Sequence, residues 1–223
     1  MDSWFVAFSG FNPALAEDLM RSFRGSQVGV GLGVGLVEDN VGLFEVQACW
    51  VPSRTPDILV TGGLGRTNRE AFLLVASFVE THASTIGACM GVSSDKSWSL
   101  SMRKPGCQLH IHMADSWKSL ESTYQMGAIF ICLVSLLVGR PSRTDTVVFG
   151  DMSKEGYFLS VGEVNDAMVD HVCSLKMRRL ALPTGTPVTS EATSKAEQPG
   201  LDGKPRIEII SVRHMHDLFP ICF

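Results

Sequence analysis

No pair of the six cysteines stands at C-x-x-C spacing, which removes the commonest zinc and dithiol signatures. Cys49, Cys89, Cys107, Cys132, Cys173 and Cys222 are scattered, several within apolar runs, and read as free thiols of a reducing, intracellular compartment. Nothing in the sequence selects an organelle. An excess of positive charge is also missing: 19 Lys and Arg against 23 Asp and Glu leave a net charge of −4, with no broad electrostatic reason to bind nucleic acid. The densest basic run, Lys176-Met177-Arg178-Arg179, reads as a helix C-terminus favoured by the helix dipole rather than as a phosphate patch. No apolar stretch approaches the roughly 20 residues of a membrane span. Met126 to Val138 is almost wholly apolar but short, and reads as a core helix, so no membrane partner is expected. A secretory n-region is absent, and Asp2, Glu17 and Asp18 do not suit a mitochondrial presequence, which is poor in acids. The phosphate-loop pattern G-x-x-x-x-G-K-[ST] does not occur.

What is present suits one large domain with extensions: 223 residues, 45% hydrophobic and 19% charged. Residues 1–25 form a predicted helical appendage, opened by Pro13 and closed by Gly25. Its Leu15, Leu19, Met20 and Phe23 lie close to the spacing of a docking face. Val28 to Val37 then alternates glycine with aliphatics. It has no G-x-G-x-x-G leading into a helix, so it is read as half of a strand pair with Leu43 to Val51, its glycines letting something pack closely on one face. Pro52 to Pro56 is a turn and Ile58 to Thr61 a strand. A helix is predicted over Asn68 to Thr81 with Phe72, Val75, Ala76 and Val79 on one face. Gly87 to Lys104, polar and Ser-rich, is expected to be a mobile loop. Gln108 to Met113 alternates as a strand, with His110 and His112 on one face.

Beyond the core helix, strands are predicted over Thr146 to Phe149, Tyr157 to Val161, Arg179 to Leu182 and Ile207 to Val212. Helices are predicted over Glu163 to Lys176 and His214 to Phe219. Thr184 to Pro205 shows no periodicity and is expected to be a flexible insertion. The sum is an α+β domain, mixed sheets with packed helices. Two chemical alternatives arise locally. Cys107 with His110 and His112 resembles part of a zinc set, but no second ligand cluster accompanies it, and neither metal nor cofactor is expected. Asp166, Asp170 and His171 offer two parts of a Ser-His-Asp arrangement, against the plainer reading of a solvated helix face.

An ordered series of motifs resembles the proteolytic domain of Lon-type proteases from about Ser26 to Phe223. Ile58-Leu-Val-Thr-Gly-Gly-Leu-Gly65 is similar to a T-G-S-L-G turn, and Leu109-His-Ile-His-Met113 to an I-H-V-H-V strand. Leu133-Val-Ser-Leu-Leu-Val-Gly-Arg-Pro141 is similar to the end of "TALVSLLTGRPV", and Thr146 to Gly156 to "DVAMTGEITLRG". Leu159-Ser-Val-Gly162 resembles "LPVGG", Ala181-Leu-Pro183 resembles "VLIP", and Ile207 to Phe219 resembles the closing "LEIHPVKRIEEVL". The resemblance implies the family's compact fold, ribosomal protein S5 domain 2-like, which in Lon proteases forms hexameric rings below an ATPase module. It therefore implies a homo-oligomer or a partner ATPase or Lon-like chain, since any ATPase would be another chain.

The resemblance breaks at the catalytic dyad. In the family a serine within G-P-S-A-G attacks the peptide carbonyl, and a lysine within G-G-L-K, neutral through burial, is its general base. Anchored on Gly127, Gln125 takes the serine's place; anchored on Gly162, Asn165 takes the lysine's. A carboxamide is neither an acyl-transfer nucleophile nor a base at neutral pH. Tyr124 and Met126 replace smaller residues, Asp151 replaces a glutamate and Phe149 a threonine. His110, His112, Thr123, Tyr124 and Asp151 are the candidate lining of the remaining cleft, where Gln125 and Asn165 are expected to lie close and to bond each other. The leading expectation is an inactive proteolytic domain serving assembly or partner binding. The alternative is an active serine peptidase with a relocated nucleophile, with Ser119, Ser122 and Thr123 nearest in sequence.

Overall fold

The computed structural model describes residues 27–37, 40–55, 57–62, 66–92, 104–113, 125–200 and 203–223. In chain order it runs β1 (Val30–Val37), β2 (Asn40–Pro52), β3 (Ile58–Thr61), α1 (Arg66–Thr81), α2 (Ala83–Cys89), β4 (Cys107–Met113) and α3 (Met126–Val138). There follow β5 (Thr146–Val148), β6 (Asp151–Met152), β7 (Phe158–Leu159), α4 (Asp166–Ser174), β8 (Arg179–Pro183), α5 (Ser190–Glu197) and β9 (Glu208–Val212). A 3₁₀ turn (Met215–Leu218) and α6 (Phe219–Cys222) close the chain. Seven strands join in the order β3-β4-β2-β1-β5-β8-β9, and β6 and β7 make a separate hairpin. β1–β2 and β2–β4 are antiparallel and the other neighbours in the large sheet are parallel, so the sheet is mixed.

The glycine alternation of β1 explains how the layers meet. Pleating sends Val30, Leu32 and Val34 to one face, where they are buried, and Gly31 and Gly33 to the other. Helix α3 lies directly on that bare backbone: a Cβ on Gly31 would stand 2.1 Å from the Ala128 carbonyl oxygen, and one on Gly33 2.3 Å from the Phe44 ring. The helix is apolar all round because it is enclosed all round, only Leu136 and Val138 escaping full burial. Its few polar atoms clamp the start of the hairpin. Ser135 Oγ accepts from the Gly29 N–H at 2.9 Å and donates to the Arg140 carbonyl at 2.6 Å. The Cys132 thiol donates to the Gly29 carbonyl at 3.1 Å, and burial pushes its pKa well above the ordinary range, so this thiol is a packing group. Gly139, at φ 67°, ends the helix in the left-handed conformation.

Two apolar layers result. Phe44, Val46, Leu109 and Ile111 meet Phe72, Val75 and Val79 of α1 and Ile129, Phe130 and Leu133 of α3. On the opposite face Val30, Leu32, Val34, Val147 and Phe149 meet Met168, Val169 and Val172 of α4. Among the described residues β3 and β4 add nothing to this second layer, and their outer faces carry Leu59, which is exposed, with Thr61, His110 and His112.

Several expectations change. The segment 184–205, expected to be a flexible insertion, contains α5. Thr189 caps it by accepting from the Ala192 N–H at 3.1 Å, and Ala192 and Ala196 are its buried face. Two alanines at i and i+4 suffice to seat so short a helix and leave no hydrophobic period to read. Gly87, placed in a loop by its polar neighbours, belongs to α2; residues 93–103 of that predicted loop lie outside the described residues. The helix expected over Glu163 to Lys176 is shorter at both ends, because Asn165 is an extended cap (φ −101°, ψ 174°) and Lys176 turns left-handed at φ 59°. The helix predicted over His214 to Phe219 is the 3₁₀ turn followed by α6. The helical appendage at 1–25 lies outside the described residues.

Candidate functional site

Gln125 precedes α3 with helical backbone angles (φ −97°, ψ −12°), and its carbonyl accepts from the Ile129 N–H at 2.9 Å. The residue is fully buried, and neither Oε1 nor Nε2 has a hydrogen-bond partner among the described residues. A carboxamide in that state neither reaches a substrate nor activates one. Asn165 precedes α4 in a different role: its Oδ1 accepts from the Met168 N–H at 3.0 Å, a standard N-cap. The expected bond between the two amides is not made, since neither polar atom of the Gln125 amide has a partner among the described residues.

Both residues flank the C-terminal end of β5, from helices on opposite faces of the sheet. A Cβ on Gly127, two residues past Gln125, would lie 3.1 Å from Val148 and 3.2 Å from Phe158; one on Gly162, three before Asn165, would lie 3.9 Å from Phe149. Asp151 follows at the start of β6, its Oδ1 accepting from the Met152 N–H at 2.7 Å. Phe149 is fully buried under α4. Thr123 and Tyr124 lie outside the described residues, as do Ser119 and Ser122.

His110 and His112 do not join this group. They share a face of β4, as the alternation requires, but it is the face away from α3, since Leu109, Ile111 and Met113 point into the layer that α3 completes. Strands β2 and β1 also stand between β4 and β5, which at about 4.8 Å per strand puts roughly 14 Å between them. The histidines have a partner that the sequence reading missed. Thr61 Oγ1 lies 2.8 Å from His110 Nε2 and 2.9 Å from His112 Nδ1. A hydroxyl has one hydrogen, so it donates to at most one ring, and the other ring must present an N–H to it. The signal was the parallel pairing of Ile58 to Thr61 with Leu109 to His112, which sequence alone does not provide.

The same alternation disposes of the zinc alternative, because Cys107 is on the strand face opposite the two histidines. No group of three or more His, Cys, Asp or Glu with metal-holding geometry occurs among the described residues. Asp166 and Asp170 are not a bare solvated face: Lys195 of α5 bonds both, at 3.0 Å to Asp166. That hydrogen bond holds the Asp166 carboxyl below its usual range. Their part in a hydroxyl-imidazole-carboxylate relay is thereby replaced by a tie between two helices.

Residues 17–186 match the family model described as the Lon protease (S16) C-terminal proteolytic domain. Curated relatives include Lon protease 1 of Sorangium cellulosum, 26% identical over 151 residues, which is 68% of this chain and 17% of that protein. Lon protease of Methylocella silvestris is 28% identical over 141 residues, 62% of this chain and 16% of its own length. The peroxisomal Lon protease homolog 2 of Caenorhabditis briggsae is 22% identical over 165 residues, 74% of this chain and 19% of that protein. The chain thus spans less than a fifth of the length of each of these relatives.

Proposed function

The chain belongs to the Lon protease (S16) C-terminal proteolytic domain family, and from that premise we propose that it is a degenerate member, a pseudoprotease whose scaffold serves assembly or partner binding. One observation carries the reading: the residue aligned with the family's nucleophile is a fully buried carboxamide with no hydrogen-bond partner among the described residues. The position aligned with the base is an amide that caps a helix. Neither group can take a proton from a hydroxyl at neutral pH. In this reading the mixed sheet is the ribosomal protein S5 domain 2-like fold, and the useful surface is the outside of the domain. The partner is a second copy or an ATPase-bearing chain.

The test uses a fluorophosphonate probe and casein turnover, with and without ATP. No labelling and no turnover are expected. Activity abolished by replacing Ser119, Ser122 or Thr123 would sink the reading. A second reading, an active hydrolase, draws on the hydroxyl–imidazole contact of Thr61 with His110, the geometry by which a base activates a nucleophile. It predicts activity that Thr61→Val abolishes, so the same assay separates the two. Assembly is read by light scattering after size exclusion, on the full chain and on one beginning at Ser26. A monomer in both, with nothing cross-linked to it in native extract, removes the assembly half of the proposal.

A further inference from the structure

A hollow of about 400 Å³ separates the C-terminal half of α1 from the turn that joins β6 to β7. On the helix side Leu74, Phe78 and Thr81 form one stripe, at i, i+4 and i+7. On the turn side stand Lys154 and Glu155. The turn is held by its own backbone and by one hydroxyl. Ser153 Oγ accepts from the Glu155 and Tyr157 N–H groups, each at 3.2 Å. The Ser153 N–H donates to the Tyr157 carbonyl at 2.9 Å, and the Gly156 N–H to the Ser153 carbonyl at 3.0 Å. A Cβ on Gly156 would stand 2.4 Å from the Phe78 ring, so the turn rests directly on the helix. The backbone that carries Lys154 and Glu155 is therefore placed before any ligand arrives, and less freedom is lost on binding.

The charges around the hollow select the ligand. Neither Lys154 nor Glu155 has an ion pair among the described residues. The last turn of α1 holds no basic side chain, so nothing there offsets the partial negative charge of the helix C-terminus. A simple anion meets that charge and the Glu155 carboxylate, and a simple cation meets the Lys154 ammonium. A ligand with an ammonium and a carboxylate on one carbon satisfies both ends: its ammonium faces Glu155 and the end of α1, and its carboxylate faces Lys154. The rest of the wall is apolar. Leu74 lies beside Phe78, and the His82 ring stacks on Phe78 at 4.2 Å with its Nδ1 2.9 Å from the Phe78 carbonyl. A carbonyl only accepts, so Nδ1 carries the hydrogen and the ring is fixed as part of that wall. The volume falls within the range of small-molecule sites, about 300–1,000 Å³.

We propose that this hollow binds a free α-amino acid with an apolar side chain. The test is a titration of the full chain at low salt, followed by amide chemical shifts, with leucine, leucinamide, N-acetyl-leucine and glycine as probes. Saturable binding of leucine is expected. Leucinamide lacks the carboxylate and N-acetyl-leucine the ammonium, and each should bind about fivefold more weakly, the upper end of what an exposed ion pair supplies. Glycine, without the apolar part, should also bind more weakly. Lys154→Gln should weaken leucine about fivefold and leave leucinamide unchanged, whereas Glu155→Gln should weaken leucine and leave N-acetyl-leucine unchanged. A merely structural effect of either substitution would weaken all the probes alike. Thermal unfolding without ligand establishes that each variant is folded; should either fail to fold, the shifts that leucine induces in the wild-type protein decide by their location. No saturable binding, glycine or a singly charged analogue binding as tightly as leucine, leucine binding unchanged in folded Lys154→Gln or Glu155→Gln, or shifts away from residues 74–82 and 153–157 would each overturn the proposal.

Discussion

Gln125 and Asn165 each place a carboxamide one residue ahead of a helix, and the two surroundings differ in every physical respect. Asn165 is extended, only partly buried, and its oxygen satisfies one of the N–H groups that every helix start leaves open. Gln125 is already helical, fully enclosed, and both polar atoms of its amide lack a partner among the described residues. At α4 the amide builds secondary structure. At α3 it is a cost that the surrounding apolar packing offsets. The difference lies in where the helices begin: α3 starts at a fully buried residue, whereas Asn165 and Asp166 at the start of α4 are partly exposed.

The largest expected effect breaks the seating of α3 on β1. Gly31→Val places side-chain atoms where the Ala128 carbonyl now lies, and overpacking of this kind against backbone should destabilise by about 3 kcal/mol, read as a fall in the denaturant midpoint. A change under about 0.5 kcal/mol, the size of an ordinary surface substitution, would show that α3 is not held by the bare strand. Next, Gln125→Met keeps the volume and removes the unpartnered amide, so it should stabilise by about 1–2 kcal/mol; a loss of stability would mean that the amide has a partner after all. Asn165→Ala should act in the opposite direction, costing about 1 kcal/mol, while Asn165→Asp retains the cap. Equal signs for the two amide replacements would dissolve the contrast.

The smallest effect concerns pH. Neither amide titrates, so any dependence of stability near neutrality must arise elsewhere, and the cluster of His82, His214 and His216 around Phe78 is the candidate. His214 and His216 stack at 4.8 Å, His82 lies 6.1 Å from His216, and His216 Nε2 is buried without a partner among the described residues. Burial first, then the charges of His214 and His82, lower the His216 pKa, and Asp217 opposes them. A lowered folded pKa means that the unfolded chain takes up the proton first. Stability should therefore be complete above about 6.5, the unfolded value, and decline as pH falls from there through the folded pKa. His216→Phe should flatten that decline; an unchanged profile would place the titrating group elsewhere.

The parts of the fold legible in the sequence are those governed by local pattern. Met126 to Val138 is a helix with those bounds because an almost wholly apolar run ends at Gly139. The glycine alternation of β1 announced close packing, and the period of β4 put His110 and His112 on one face. That same period, applied to Cys107, already separated it from the histidines. What was not legible depended on contacts between distant segments. Lys195 joining Asp166 to Asp170, and Thr61 joining His110 to His112, each need two elements brought together. Helix α5 escaped notice because two alanines carry its packing.

Sequence alone determined the chemistry of the aligned positions: a carboxamide is no nucleophile and no base wherever it sits, because that property belongs to the side chain. It also determined that something packs closely on one face of β1, through the alternation of glycine with valine and leucine along the strand. Only the tertiary structure decided that one amide is enclosed and the other caps a helix, and that Arg178 and Arg179 enter a cavity rather than end a helix. The physical reason is that burial, partnership and local charge balance are properties of neighbours, and the neighbours that matter come from distant parts of the chain.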